Sequence, residues 1–135
     1  MRYWLGVASK EHVEIGVAGG FSQLCHGKQA PLNRMKEGDW LIYYAPKESL
    51  KRNEPCQKFI AVGTIKAGCA YQVEMKPNFF PFRKNVSYLP NPYPVSLQAV
   101  SDYPLWSEYR SKLRFGHLEI PQELFEYITF HMFEA

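Results

Sequence analysis

Apolar positions run almost unbroken from Tyr3 to Ala8, with Trp4, Leu5 and Val7, the pattern of a buried strand. Ser9 follows with a side-chain oxygen suited to capping a helix. Val13 and Val17 repeat four residues apart, which predicts a helix from Lys10 to about Ala18 that Gly19-Gly20 ends. The stretch from Phe21 to Lys36 is irregular, with Gly27, a short turn after Pro31, and basic Arg34 and Lys36. Gly38-Asp39 signals a turn, and Trp40 to Tyr44 reads as a strong strand that Pro46 should stop. Lys47 to Pro55 is polar and reads as a loop.

Phe59 to Lys66 is apolar and β-branched and predicts a second central strand, with Tyr71 to Met75 as a short edge strand. Asn78-Phe79-Phe80 forms an aromatic loop between Pro77 and Pro81. Phe82 to Leu89 predicts another strand, with Val86 and Tyr88 on one face and Ser87 on the other. Pro90, Pro92 and Pro94 stiffen the connection that follows, and Val95 to Val100 reads as a helical turn. Arg114 to Ile120 is the last short strand. Pro121 opens a closing helix striped by Leu124, Phe125, Ile128 and Met132.

That pattern predicts about five or six strands and two or three helices, with the helices near the ends. Such an order implies an α+β fold, a mixed sheet or open barrel, rather than a doubly wound one. A chain of 135 residues without an internal repeat reads as a single domain over 1–135.

Composition changes the picture in two places. Aromatic residues make up 16% of the chain, which feeds a β-rich core but leaves a handful of rings to line a site. The net charge of +3 is unevenly spread: between Lys28 and Lys84 eleven Lys and Arg face five Asp and Glu, while the segment from 101 onward is net acidic. A basic middle is the footprint expected of a phosphate-bearing partner. Three cysteines, Cys25, Cys56 and Cys69, without regular spacing do not make a disulfide framework, and no CxxC pair supports a zinc site. Neither a signal peptide nor an apolar run of membrane-spanning length is visible, so the expectation is a cytoplasmic monomer with no membrane partner.

No GxGxxG, Walker A or GxSxG sequence occurs, and the acidic residues are scattered. Cys25-His26 invites a thiolate reading, but neighbours in sequence rarely face each other. No catalytic set, cofactor or metal is therefore assigned. More informative is the mixture of flat rings, amides and cations. Ser9 and His12 sit where the first strand meets its helix, Phe21-Ser22-Gln23 follows that helix, and Tyr43-Tyr44-Ala45-Pro46-Lys47 ends a strand. Phe79-Phe80-Pro81-Phe82-Arg83-Lys84 comes later. Binding a base needs rings to stack on it, polar groups for its edge and cations for phosphate, and these segments hold all three.

The blocks Gly20-Phe21-Ser22-Gln23-Leu24-Cys25-His26-Gly27-Lys28, Pro31-Leu32-Asn33-Arg34-Met35, Gly38-Asp39-Trp40 and Tyr43-Tyr44-Ala45-Pro46-Lys47 resemble EVE-domain proteins, in particular their stand-alone bacterial and archaeal branch. Gln57 to Gly63, Tyr71-Gln72 and Phe82 to Val86 extend the likeness over essentially the whole chain. The resemblance implies a PUA-like mixed β pseudo-barrel flanked by helices, and a pocket for a modified base of the kind YTH relatives use for methylated adenine. It places Ser9 and His12 at the base edge, Phe21 near the first cage aromatic, and Phe79, Phe80 and Phe82 near the loop that supplies the other rings. The chain departs from the YTH pattern with Phe where Trp is usual and His where an Asn contacts the base. Arg83-Lys84 stands where the branch has an Arg pair.

The expected function is a binding module for a modified nucleobase in DNA or RNA. Its pocket is drawn from Ser9, His12, Phe21, Gln23, Tyr44, Phe79, Phe80 and Phe82, and its phosphate rim from Lys28, Arg34, Lys47, Arg83 and Lys84. Two alternatives stay open: an enzyme hydrolysing a modified nucleoside through Cys25 or His26, and a sensor of a free small molecule.

Overall fold

A computed structural model describes residues 1–133. Strand β1 (Tyr3–Val7) leads into α1 (Lys10–Gly19), β2 (Phe21–Ser22), a 3-10 turn (Cys25–Gly27) and α2 (Ala30–Arg34). Then come β3 (Trp40–Lys47), β4 (Pro55–Ile65), β5 (Tyr71–Gln72), β6 (Phe82–Tyr88) and β7 (Val95–Ser96). The chain closes with α3 (Leu97–Ser101), α4 (Trp106–Tyr109), a 3-10 segment (Arg110–Phe115), β8 (His117–Ile120) and α5 (Gln122–Phe133). Six strands form the path β2-β6-β4-β3-β1-β8, with β5 paired to β6 and β7 to β4. Among the paired strands β1 and β3 run parallel; their neighbours are antiparallel.

Both faces of this sheet are covered, which is why β1 and β3 read as continuous apolar runs. On one face Leu5, Ile42, Tyr44, Phe59 and Leu118 pack with Trp106 and with the α5 stripe Leu124, Ile128 and Met132. Those three α5 side chains are fully buried, each contributing roughly 1.5–3 kcal/mol. On the other face Trp4, Leu41, Tyr43 and Ala61 pack under Val13 of α1 and Leu32 and Met35 beside α2. The side-chain alternation of a strand thus sends Tyr43 and Tyr44 to opposite cores.

Most predicted elements are present, with differences that have local causes. Pro46 does not stop β3. The strand continues to Lys47 because the pairing slips between Ala45 and Lys47, an irregularity where a missing N–H costs nothing. Strand β4 is longer than expected, starting at Pro55. Strand β8 is shorter, because Arg114 and Phe115 belong to a 3-10 turn ended by Gly116 in the left-handed region. The irregular stretch after Phe21 contains β2 and α2; α3 stands where a helical turn was expected over Val95 to Val100, and α4 is an added helix. The Ser9 cap forms as expected: Ser9 Oγ accepts from the His12 N–H at 3.3 Å. Gly20, in the left-handed region at φ 72°, ends α1.

Candidate functional site

The carboxyl end of β1, the start of α1 and the 3-10 turn surround a cleft of about 810 Å³. Val7, Ala8, Ser9 and His12 come from β1 and α1; Gln23, Cys25, His26 and Lys28 come from the segment that follows α1. Pro31 and Arg34 of α2, Leu50 and Lys51 of the β3–β4 loop, and Met75, Lys76 and Phe79 of the aromatic loop form the walls. Arg114, Phe115, Gly116 and His117 close it from the entry to β8. Five cations, Lys28, Arg34, Lys51, Lys76 and Arg114, share this lining with one carboxylate, Glu11. The cleft is therefore strongly electropositive.

The polar groups in it are held by their neighbours. His12 Nε2 lies 2.9 Å from the Gln23 carbonyl, which can only accept, so Nε2 is the donor in this contact. Gln23 Oε1 accepts from Arg83 Nε at 3.0 Å, while its Nε2 donates to Met75 Sδ at 3.7 Å. Arg83 in turn lies 3.9 Å over the Phe21 ring. Phe21, Arg83 and Gln23 form a stack that fixes the amide at the edge of the cleft.

The turn that carries Cys25 and His26 is strained. Cys25, His26 and Gly27 have φ of 50°, 61° and 83°, a run of left-handed residues of which two are not glycine. Gly27 is required twice over, since an added Cβ would stand 2.4 Å from Pro81 Cβ. The turn is thereby clamped against the aromatic loop. Cys25 Sγ is turned to the Phe115 carbonyl at 3.8 Å.

Of the residues expected at the site, Ser9, His12, Gln23, Phe79, Lys28 and Arg34 line the cleft. The others lie elsewhere. Phe21 is buried beneath Arg83 and against Gly19. Tyr44 belongs to the core on the opposite face, 5.1 Å from Phe59. Phe82 is half-buried against the α1-side core. Phe80 is 53% exposed beside the cleft's Phe79. Lys47 is the exposed last residue of β3, outside the cleft lining. Lys84, expected on the phosphate rim, is buried and donates from Nζ to the carbonyls of Met35 at 2.7 Å and Leu32 at 3.3 Å. Burial, with the charge of Lys36 second, lowers its pKa below the ordinary lysine value. Lys84 thus fastens the end of α2 to β6 instead of facing a ligand.

Sequence reasoning passed over one residue of the cleft in particular. His117 is 3% exposed, and its imidazole stacks on Trp4 with centroids 4.8 Å apart and planes 10° from parallel. Neither Nδ1 nor Nε2 has a hydrogen-bond partner. Burial, reinforced by the charge of Arg34, pushes its pKa down to about 4. The ring is neutral at pH 7, with one nitrogen a donor and the other an acceptor. Its one sequence signal was a polar residue directly after a glycine at the head of a buried strand. Lys51, Lys76 and Arg114 were also missed, each lying in a loop or turn whose position depends on distant packing.

Residues 2–130 match the EVE domain. The chain belongs to the EVE family. Its similarity to UPF0310 proteins is close: 50% identity over 132 residues to one from Helicobacter hepaticus, covering 98% of this chain and 97% of the relative. One from Streptococcus gordonii is 51% identical over 127 residues, covering 94% and 90%. Solved structures agree at the level of fold. A protein from Rhodopseudomonas palustris matches with a TM-score of 0.63 at 19% identity, covering 98% of this chain and 93% of that one. Human THYN1 protein, in complex with 5-methylcytosine containing DNA, matches with a TM-score of 0.54 at 12% identity, covering 100% and 99%. The EVE chain described here shares their PUA-like architecture, a mixed curled sheet with helices on both faces. No helix among its described residues is long and apolar enough to cross a membrane.

Proposed function

We propose that this EVE protein binds nucleic acid and takes one unstacked, modified base into the cleft beside α1. The observation that carries this reading is the cleft itself. Five cations share its lining, and among them stand a ring, Phe79, and the polar groups of Ser9, His12, Gln23 and His117. A volume of about 810 Å³ admits a nucleotide. Extruding a base costs a few kcal/mol, which stacking and edge hydrogen bonds in a closed site offset. The THYN1 structure adds support, since a protein of the same fold holds DNA carrying 5-methylcytosine. A modified cytosine is accordingly the first base to try. The Cys25 thiol donates to the Phe115 backbone carbonyl at 3.8 Å, which favours binding over nucleophilic chemistry at Cys25-His26.

The test is a titration of short oligonucleotides, with and without 5-methylcytosine, at low and moderate salt. Tighter binding of the modified strand, weakening as salt rises, is expected. Equal or absent binding of every strand, or affinity indifferent to salt, sinks the reading.

A further inference from the structure

His117 is buried deeper than anything else polar in the cleft, yet its imidazole is left without a partner. Buried side-chain nitrogens are nearly always hydrogen-bonded, because an unpaired one forfeits its hydration with no return. Here both ring nitrogens are in that condition. The ring is nonetheless held firmly. It lies flat on Trp4, and the Trp4 indole N–H donates to Asp39 Oδ2 at 3.0 Å. Strand pairing sets His117 opposite Gly6, so no side chain on β1 competes for its position. An added Cβ at Gly6 would stand 2.8 Å from Leu24 Cδ2 and 3.0 Å from Tyr43 Cε1, so those side chains would have to shift. A polar ring pre-oriented by stacking, with both nitrogens unpaired and shielded from water beside the cleft that His117 lines, points to a recognition group.

We propose that His117 reads the bound base: its imidazole, laid on Trp4 at the floor of the cleft, hydrogen-bonds the polar edge of a nucleobase that enters from the cationic rim. The ligand class is a planar heterocycle whose edge carries a hydrogen-bonding group, such as an exocyclic amine or a ring nitrogen. A neutral imidazole has one nitrogen that donates and one that accepts, on opposite sides of the ring, so one of them meets that edge, whereas an imidazolium would only donate. Burial, with the charge of Arg34 second, keeps the ring from charging, and Arg34 lines the same cleft. This inference rests on the cleft being a base pocket, and goes beyond it by naming the residue that discriminates.

The experiment compares the full chain with His117→Phe, which keeps a ring on Trp4 but no nitrogen, and His117→Gln, which keeps a donor and an acceptor. Fluorescence anisotropy measures each against a short single strand carrying 5-methylcytosine and against the same strand with an abasic site there. Free 5-methyldeoxycytidine monophosphate and ribose 5-phosphate are titrated in parallel while the His117 ring nitrogens are followed by NMR. The wild type should prefer the base-containing strand by well over tenfold, as one buried hydrogen bond and stacking on Phe79 together supply. His117→Phe should cut that preference by roughly tenfold, leaving what stacking on Phe79 supplies, and His117→Gln should restore most of the loss. The ring-nitrogen signals of the wild type should move with the nucleotide and stay still with ribose 5-phosphate, a readout that survives even if His117→Phe fails to fold. Equal dependence on His117 for the free nucleotide supports the same contact with a free ligand. A wild type indifferent to the abasic site removes the base-pocket reading and this inference with it. A wild type that discriminates, alongside a folded His117→Phe variant that discriminates equally and unmoved ring-nitrogen signals, overturns the role of His117 alone.

Discussion

The Trp4 indole N–H donates to Asp39 Oδ2 at 3.0 Å, joining β1 to the turn before β3. The same carboxylate accepts from the backbone N–H groups of Arg2 at 3.0 Å and Lys36 at 2.9 Å. Burial alone would raise the Asp39 pKa, but the hydrogen bonds from Lys36, Trp4 and Arg2 outweigh it and hold the group below its ordinary value. A carboxyl with a depressed folded pKa stabilises the fold above its unfolded pKa and loses that contribution as pH falls through the folded value. Asp39→Ala should therefore cost about 1.5–3 kcal/mol near neutrality. In thermal melts across pH, the wild type should lose stability below about pH 4 more steeply than the variant.

His117 opens a second, separate window. Its pKa, pushed down to about 4 from 6.5 chiefly by burial, means that folding disfavours the charged ring. Stability linked to this group is complete above the unfolded value and declines as pH falls from about 6.5 toward about 4. The loss should reach about 3 kcal/mol across that window, and His117→Gln should flatten it. Denaturant midpoints at pH 7, 5.5 and about 4 measure it, and an unchanged slope in His117→Gln would contradict the assignment.

The buried and the cleft-lining cations should separate cleanly. Lys84→Met takes the lysine donor from the Met35 carbonyl and one of two donors from the Leu32 carbonyl, which keeps the Met35 N–H, and should lower stability by about 1–2 kcal/mol. It should leave the salt dependence of oligonucleotide binding as it was. Arg34→Ala should do the reverse, with a stability change within about 0.5 kcal/mol and a salt slope smaller by about one. Plots of log affinity against log salt for the two variants decide it.

Adjacent phenylalanines should behave differently. Phe79 lines the cleft, whereas Phe80 is 53% exposed outside it. Phe79→Ala should weaken binding of a base-containing strand by about 1–3 kcal/mol, the range for loss of one stacking ring, and Phe80→Ala by far less. Equal losses would place the base on the outer surface of the loop.

Much of the fold was legible because its cues are local. The apolar runs of β1 and β3, the Ser9 cap, Gly20 at the end of α1 and the four-residue stripe of α5 are each written in residues that touch their sequence neighbours. The resemblance carried by the Gly20 to Lys28 block pointed to the family in the same way, and part of the cleft with it.

What the local cues left open was which side chains face the cleft, and that is a property of partners far along the chain. Tyr43 and Tyr44 look alike in sequence, but strand alternation and the two packed layers send them to opposite cores. Arg83 and Lys84 both read as rim cations. One rests half-buried on Phe21 and pins Gln23; the other sits under α2, where the carbonyls of Leu32 and Met35 receive it. The alternation of β8 would put His117 in water with Glu119. Trp4, fixed by Asp39 from another turn, covers it instead and leaves its nitrogens free. The sequence by itself determined the elements and the chemical types available to a site. Only the tertiary structure decided which of them are buried, paired or free, because burial and pairing depend on what long-range packing lays over each residue.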